Sequence, residues 1–149
     1  MTRILFVCHG NICRSPMAES LMAHLARQKG LEENFILASA ATSTEEIGNP
    51  PHPGTVCQLR RHGVETKPHR AVRIRREDYA QYDLILGMDS QNLRNILRIL
   101  GQDPQGKVRR LLDFTPHPRD IADPWYTGDF EKTYQDILEG CEALLAYCT

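Results

Sequence analysis

The sequence predicts an α/β fold in which helices cover both faces of a parallel sheet. Short apolar runs alternate along the chain with longer segments whose apolar residues recur at helical spacing. The first run, 4–7, is apolar without interruption, which is typical of a strand buried on both faces of a parallel sheet. The length of 149 residues fits a single domain, 1–149, and a domain of this size can bury a sizeable core.

The first half of the chain predicts two strands and two helices. A helix containing 17–25 follows the first strand and ends near Gly30, and the second strand covers 35–41. Prolines in 48–54 disfavour both a helix and a paired strand there, so the second helix is expected over 55–62.

The second half continues the alternation. A third strand over 82–87 leads to a helix capped by Asp89, a fourth strand covers 108–112, and the last helix begins at Phe130. The helix after Asp89 is expected to bury one face, composed of Leu93, Ile96, Leu97 and Leu100. The segment 72–79 has a weak pattern. We interpret its arginines as a solvated cluster, with partner binding as the alternative: Arg73, Arg75 and Arg76.

Composition and charge exclude several functional classes. The formal net charge of −1 predicts no affinity for nucleic acid or membranes from bulk electrostatics, and 4–7 is too short for a signal segment or a membrane span. The five cysteines are odd in number and lack the paired spacing of metal sites, so we expect the protein to be located in a reducing cytoplasm. We expect a monomer that needs no metal and no organic cofactor.

The segment from Cys8 to Ser15 carries the chemistry. It has a cysteine, five residues and then Arg14, and it lies between the first strand and the first helix. Backbone N–H groups and the helix N-terminus favour a bound anion and a thiolate there, and an arginine can bind two phosphate oxygens at once. Gly10 would let the backbone approach the anion, and Asn11 tolerates a left-handed turn.

Two details of this segment remain open at the level of sequence. Ser15 is expected to cap the first helix, with Pro16 at the first helical position, and to donate its hydroxyl to the thiolate. The alternative to the phosphate-loop interpretation is that Cys8 is a buried cysteine at a strand end and Arg14 lies on a helix surface.

A distant aspartate should reach the same edge of the sheet. The long loop 113–129, which contains several prolines, leaves the fourth strand, and loops of this length are often functional. Ligands bind beyond the carboxyl ends of parallel strands, where Cys8 also lies, so the topology brings Asp123 towards Cys8. Pro124 favours an extended Asp123, although an Asp-Pro pair alone is more often an ordinary turn.

Together these motifs resemble the low-molecular-weight protein tyrosine phosphatases. The loop is followed by Pro16-Met17-Ala18-Glu19, and Asp123-Pro124-Trp125-Tyr126 resembles the general-acid loop of that family. The resemblance spans essentially the whole chain. It implies a flavodoxin-like three-layer sandwich with the parallel strands in the order 2-1-3-4. It also implies that Cys8 forms a phosphocysteine, Arg14 binds phosphate and Asp123 is the general acid and base.

The resemblance assigns further roles around this centre. Asn11, Ser39 and His69 would hold the loop in shape, although His69 is equally well an exposed turn histidine. Cys13 would form a reversible disulfide with Cys8, and simple packing is the alternative. The remaining residues would face the substrate: His9 at the mouth, and Ile12, Trp125 and Tyr126 in the cleft, with ordinary loop packing as the alternative for Trp125. Where many eukaryotic members have an aromatic wall residue, this chain has Thr44-Glu45-Glu46, so Glu45 replaces the aromatic residue and the wall is expected to be thinner and more acidic.

The expected activity is hydrolysis of tyrosine-phosphorylated proteins, with a bacterial tyrosine kinase as a natural partner. Protein-arginine phosphatases of the same family are the alternative, but they favour threonine where this chain has Ile12. Arsenate reductases need two further cysteines, and 84–100 contains none. A phosphate-binding module without turnover would be expected to lack the nucleophile, the arginine or the acid, and all three are present.

Overall fold

The computed structural model describes residues 1–149 and contains one parallel sheet of four strands in the order β2-β1-β3-β4. The strands are β1 Thr2–Cys8, β2 Phe35–Ala41, β3 Leu84–Gly87 and β4 Val108–Arg110. The central strand β1 pairs with β2 on one side and with β3 on the other, so Ile4 lies between Leu37 and Leu84. The predicted single-domain, flavodoxin-like α/β fold and its strand order are confirmed.

Helices cover both faces of this sheet. They are α1 Arg14–Gln28, α2 Pro53–Arg61, α3 Asp78–Gln81, α4 Ser90–Leu100, α5 Pro124–Thr127 and α6 Phe130–Cys148. Alternate residues of β1 point to opposite faces: Ile4 and Phe6 belong to the larger core with α1 and α6, whereas Leu5 and Val7 pack with α4. None of the helices combines the length and apolar character needed to cross a membrane.

The structure differs from the sequence prediction at the boundaries of two strands and at one position of α4. The fourth strand ends at Arg110 because Asp113 accepts hydrogen bonds from Arg110 N at 2.9 Å and Nε at 3.0 Å, which turns 111–114 into a 3₁₀ helix. The third strand begins at Leu84 rather than at residue 82. Leu97, expected on the buried face of α4, is 41% exposed, while Ile96 and Leu100 are buried.

Helix α2 starts earlier than predicted. His52 Nδ1 accepts the backbone N–H of Gly54 at 2.9 Å, so His52 caps the helix and Pro53 occupies its first position, where no N–H is needed. Gly54 lies directly against the ring of Phe130 at the start of α6, and a Cβ atom there would overlap that ring. This contact joins α2 to α6 next to the loop that follows β1.

The weakly patterned segment after His69 extends the sheet edge. Ala41 N donates to Val72 O at 2.7 Å, and Ile74 N donates to Ala41 O at 2.9 Å, forming an isolated parallel bridge to β2. The side chains of its arginines are exposed, in agreement with a solvated cluster: Arg73, Arg75 and Arg76.

Candidate active site

The loop between β1 and α1 wraps around the sulfur of Cys8. Cys8 is 3% exposed, and its Sγ lies 3.3 Å from the backbone N of Asn11 and 3.4 Å from that of Ser15, both N–H groups directed at the sulfur. Ser15 Oγ lies 3.0 Å from the same sulfur. Two backbone N–H groups and one hydroxyl therefore converge on this sulfur.

The predicted capping role of Ser15 is wrong. Helix α1 begins at Arg14, so Cys13 occupies the cap position without a side-chain hydrogen bond, and Ser15 and Pro16 are the second and third helical residues. A proline is tolerated in the first turn because its missing N–H has no helical partner. The Ser15 hydroxyl is used inside the loop, between Cys8 Sγ and Asn11 Nδ2, which donates to it at 2.8 Å.

Asn11 fixes the shape of the loop. It is the only non-glycine residue with a positive φ, 60°, which confirms the predicted left-handed turn. Its Nδ2 also donates to Ser39 Oγ at 3.0 Å, and its Oδ1 accepts the backbone N–H of Val72 at 3.1 Å. His69 Nε2 lies 2.7 Å from the same Oδ1. The structure therefore brings Asn11, Ser39 and His69 together behind the loop.

Glu19 extends this network, and the sequence analysis gave it no role. Its carboxylate is buried on α1, where Oε1 accepts the Ser39 hydroxyl at 2.6 Å and Oε2 lies 3.2 Å from Lys67 Nζ. Since Ser39 contacts Asn11, a chain of polar contacts runs from the surface at Lys67 to the loop. Glu19 belongs to the stretch Pro16-Met17-Ala18-Glu19 that resembles the family motif, and this was the only indication in the sequence that it has a role.

Arg14 enters the site as a buried cation. It is 2% exposed, and its Nη1 donates to Asp89 Oδ2 at 2.6 Å and to the Ile121 carbonyl at 2.8 Å, while Nη2 lies 3.4 Å from Asp123 Oδ2. Burial opposes the charged guanidinium, but the facing Cys8, Asp89 and Asp123 outweigh it and raise the pKa of Arg14. Asp89 was predicted only as a helix cap.

One nitrogen of Arg14 is left without a partner. The buried Nε makes no hydrogen bond with the protein, although buried polar groups nearly always find one. Arg14 is among the residues that line the cavity above Cys8, so its guanidinium is placed to bind an oxyanion there.

Asp123 reaches the same cavity from the far end of the chain. Its backbone is extended, with φ −80° and ψ 115°, as predicted for a residue before proline, and Pro124 begins the short helix α5. Its Oδ1 accepts the N–H of Trp125 at 3.0 Å, which leaves Oδ2 towards Arg14. Cys8 and Asp123 line one cavity, so the predicted meeting of the two segments at one edge of the sheet is confirmed.

The cavity has a volume of about 90 Å³ and two distinct walls. One wall comes from α5, where Trp125 and Tyr126 are 57% and 80% exposed. The other comes from the loop after β2, where Glu45 Oε2 lies 2.9 Å from His9 Nε2. Glu46 completes this wall. The lining residues are Cys8, His9, Gly10, Ile12, Cys13, Arg14, Glu45, Glu46, Asp123, Trp125 and Tyr126.

The second cysteine of the loop differs from the first in its surroundings. Cys13 is 5% exposed, and burial, followed by the charges of Cys8 and Asp123, raises the pKa of its thiol to about 12. Cys13 is therefore a neutral thiol at the edge of the cavity. No group of three or more potential metal ligands occurs in the structure, and all five cysteines are free.

Comparison with known proteins agrees with this geometry. Residues 3–148 match the family model described as low molecular weight phosphotyrosine protein phosphatase. The chain belongs to this family. Among family members, the low molecular weight protein-tyrosine-phosphatase YfkJ of Bacillus subtilis is 43% identical over 148 residues, which cover 98% of this chain and 95% of YfkJ.

Solved structures of the family share its fold. The crystal structure of YfkJ aligns with a TM-score of 0.95 and 42% identity, covering 99% of this chain and 94% of that chain. The structure of DARP, a Drosophila arginine phosphatase, aligns with a TM-score of 0.88 and 32% identity, covering 99% and 97%. The family thus includes proteins named for two different phosphorylated residues.

Proposed function

We propose that this phosphatase-family protein hydrolyses phosphotyrosine in proteins through a phosphocysteine on Cys8. One observation carries the proposal. Cys8 at the end of β1, Arg14 at the start of α1 and Asp123 just before α5 line a single cavity, and the buried Nε of Arg14 has no hydrogen-bond partner in the protein. A nucleophile, a cation and an acid are the groups that phosphoryl transfer needs.

In the first step, the Cys8 thiolate attacks phosphorus as the bond to the tyrosine oxygen breaks. Loop N–H groups and Arg14 stabilise the equatorial oxygens, since they are already oriented before the charge develops. Asp123 gives its proton to the leaving oxygen. In the second step, Asp123 takes a proton from water, the water oxygen attacks phosphorus, and the bond to sulfur breaks to release phosphate and the thiolate.

Tyrosine is the favoured substrate because the cavity walls suit an aryl group. Trp125 and Tyr126 offer exposed aromatic surface at the mouth, and Ile12 adds an apolar side chain from the loop. The second candidate is phosphoarginine, supported by the similarity to DARP. Ile12 argues against it because arginine phosphatases favour threonine at this position. An arsenate reductase is least favoured, since no cysteine lies in 84–100.

The physiological setting forms part of the same proposal. The substrate would be a tyrosine-phosphorylated protein, and in a bacterium a tyrosine kinase would be a natural partner. We propose a monomer acting in the cytoplasm, where free thiols such as those of Cys8 and Cys13 stay reduced.

Hydrolysis of para-nitrophenyl phosphate and of phosphotyrosine and phosphoarginine peptides tests the proposal, in chelator and across pH. Wild type should cleave the aryl phosphates, Cys8→Ser should be inactive, and Asp123→Ala should be slower by roughly 10²-fold or more. Turnover by Cys8→Ser would refute the mechanism. Faster cleavage of phosphoarginine would favour the second candidate. Phosphate binding without turnover by wild type would indicate a binding module.

A further inference from the structure

We propose that the acidic wall formed by Glu45 and Glu46 selects substrates that carry lysine or arginine beside the phosphorylated residue. This inference rests on the proposed phosphatase activity and adds the class of peptide that the site prefers. It concerns a property of this chain, since the wall residue at position 45 is a glutamate and not an aromatic residue.

The charges that line the cavity are unbalanced. Arg14 is its only lysine or arginine, while Glu45, Glu46 and Asp123 supply carboxylates and Cys8 supplies the nucleophilic sulfur. Arg14 is also shared, because Asp89 already contacts its Nη1 at 2.6 Å. A bound phosphate ester would bring further negative charge next to the acidic wall.

The two glutamates are held at the mouth and remain accessible. The Glu45 side chain is 69% exposed and is oriented by its 2.9 Å contact with His9. Glu46 accepts a hydrogen bond from Asn49 Nδ2 at 2.5 Å, and its Cγ packs close to Gly10 of the loop. The exposed Glu45 can therefore meet a residue beside a phosphotyrosine whose phosphate lies on the loop, and the partly buried Glu46 adds negative charge to the same wall.

No other cation on this wall offsets them. Arg70 is tied to the same loop through the Gly48 carbonyl at 3.0 Å, but it does not line the cavity. His9 is the one basic side chain in contact with the wall, and a substrate guanidinium or ammonium would compete with it for Glu45. Arg14, whose buried Nε has no hydrogen-bond partner in the protein, lines the same cavity as these carboxylates.

The chemistry predicts attraction for basic peptides and repulsion for acidic ones. Complementary charges at the rim of a site raise association and fix orientation, and like charges in the same place oppose binding. At low salt we expect kcat/KM for a peptide with arginine on both sides of phosphotyrosine to exceed that of its glutamate counterpart by roughly tenfold.

The test compares three phosphotyrosine peptides that differ only in having Arg, Gln or Glu at both neighbouring positions. Each rate is divided by the rate of the same enzyme preparation on para-nitrophenyl phosphate, which has no neighbouring charge. The variant is Glu45→Gln/Glu46→Gln. Its matched control is Glu32→Gln/Glu33→Gln. These two carboxylates lie just before the amino end of β2, whereas the acidic wall follows the carboxyl end of the same strand.

We expect the preference for arginine over glutamate to fall to about twofold or less in the wall variant and to persist in the control. In wild type the preference should shrink as the salt concentration rises, because salt shortens the range of charge interactions. Equal rates on all three peptides by an enzyme that cleaves para-nitrophenyl phosphate would overturn the inference alone. An unchanged preference in the wall variant would do the same. Inactivity of wild type on every ester would overturn the proposed activity, and this inference with it.

Discussion

Asp89 contacts Arg14 at 2.6 Å, Oδ2 to Nη1, although the two residues stand at the starts of helices on opposite faces of the sheet. The other oxygen of Asp89 accepts the N–H of Asn92 at 2.7 Å and caps α4. A single carboxylate therefore both begins one helix and orients the buried guanidinium of the site. Its two functions can be separated by substitution.

Replacing Asp89 with asparagine should impair catalysis more than folding. Asparagine is as good a helix cap as aspartate, but it removes the negative charge that holds Arg14. We expect kcat/KM on para-nitrophenyl phosphate to fall by roughly 10²-fold, because a displaced guanidinium no longer matches the transferring phosphoryl group. Steady-state kinetics measures this. Asp89→Ala should in addition have a free energy of unfolding lower by about 1 kcal/mol, because alanine cannot cap α4. Wild-type kinetics in Asp89→Asn would contradict the assigned role.

The residues of the sequence could reveal the site's centre, and the family resemblance added Asn11, Ser39 and His69 behind the loop, but neither indicated the contacts of Asp89 and Glu19. Cys8 and Arg14 stand six positions apart in one loop, and the parallel topology alone placed Asp123 near them. The pairing of Arg14 with Asp89 spans 75 positions, and no local pattern encodes it. The contact of His69 with Asn11 spans 58 positions from a weakly patterned segment, so only the family resemblance, and no local pattern, predicted it.

For the fold, the sequence predicted which strands and helices occur better than where they begin and end. Continuous apolar runs and helical spacing identified the strands and long helices, because both signals are local. Boundaries depended on distant or side-chain contacts. The fourth strand ends where Asp113 binds Arg110, and α2 begins at Pro53 because His52 caps it. The contact of Ser15 with the Cys8 sulfur was predicted, and its additional role as a cap was wrong because α1 already begins at Arg14.

Cys13 should resist alkylation over a wide pH range. Burial raises the pKa of its thiol to about 12, so the reactive thiolate is scarce at neutral pH and increases only as the pH rises towards that value. In Cys8→Ser, where Cys8 cannot react, the charge of Cys8 no longer raises the pKa of Cys13, but burial, the larger cause, remains, so we expect iodoacetamide to leave Cys13 largely unmodified from pH 7 to about 9. The exposed Cys57 is an internal control in the same protein. Peptide mass spectrometry measures both sites, and equal labelling at pH 7.5 would refute the prediction.

The paired loop cysteines should make oxidation reversible. Peroxide converts the Cys8 thiolate to a neutral sulfenic acid, which removes one of the charges that raise the pKa of the Cys13 thiol; attack by the Cys13 sulfur would then form a disulfide and release water. Wild type treated with peroxide should regain most of its activity in dithiothreitol, whereas Cys13→Ser should regain much less because its Cys8 proceeds to irreversible acids. Cys57→Ser is the control, since Cys57 is exposed and does not line the cavity. Equal recovery of all three proteins would exclude the disulfide.

The close contact between Gly54 and Phe130 predicts a cost for even the smallest added side chain. A Cβ at position 54 would overlap the ring, which also stacks on His52 with the ring centroids 5.3 Å apart. Gly54→Ala should lower the free energy of unfolding by about 1–3 kcal/mol, although alanine alone favours a helix by up to ~1 kcal/mol. Urea unfolding of Gly54→Ala, Phe130→Leu and the double variant tests the cause. Leucine at position 130 has no ring and should relieve the overlap with alanine at position 54. The double variant should therefore lose less free energy of unfolding than the sum of the losses in the two single variants. Strict additivity would mean that the contact does not limit position 54.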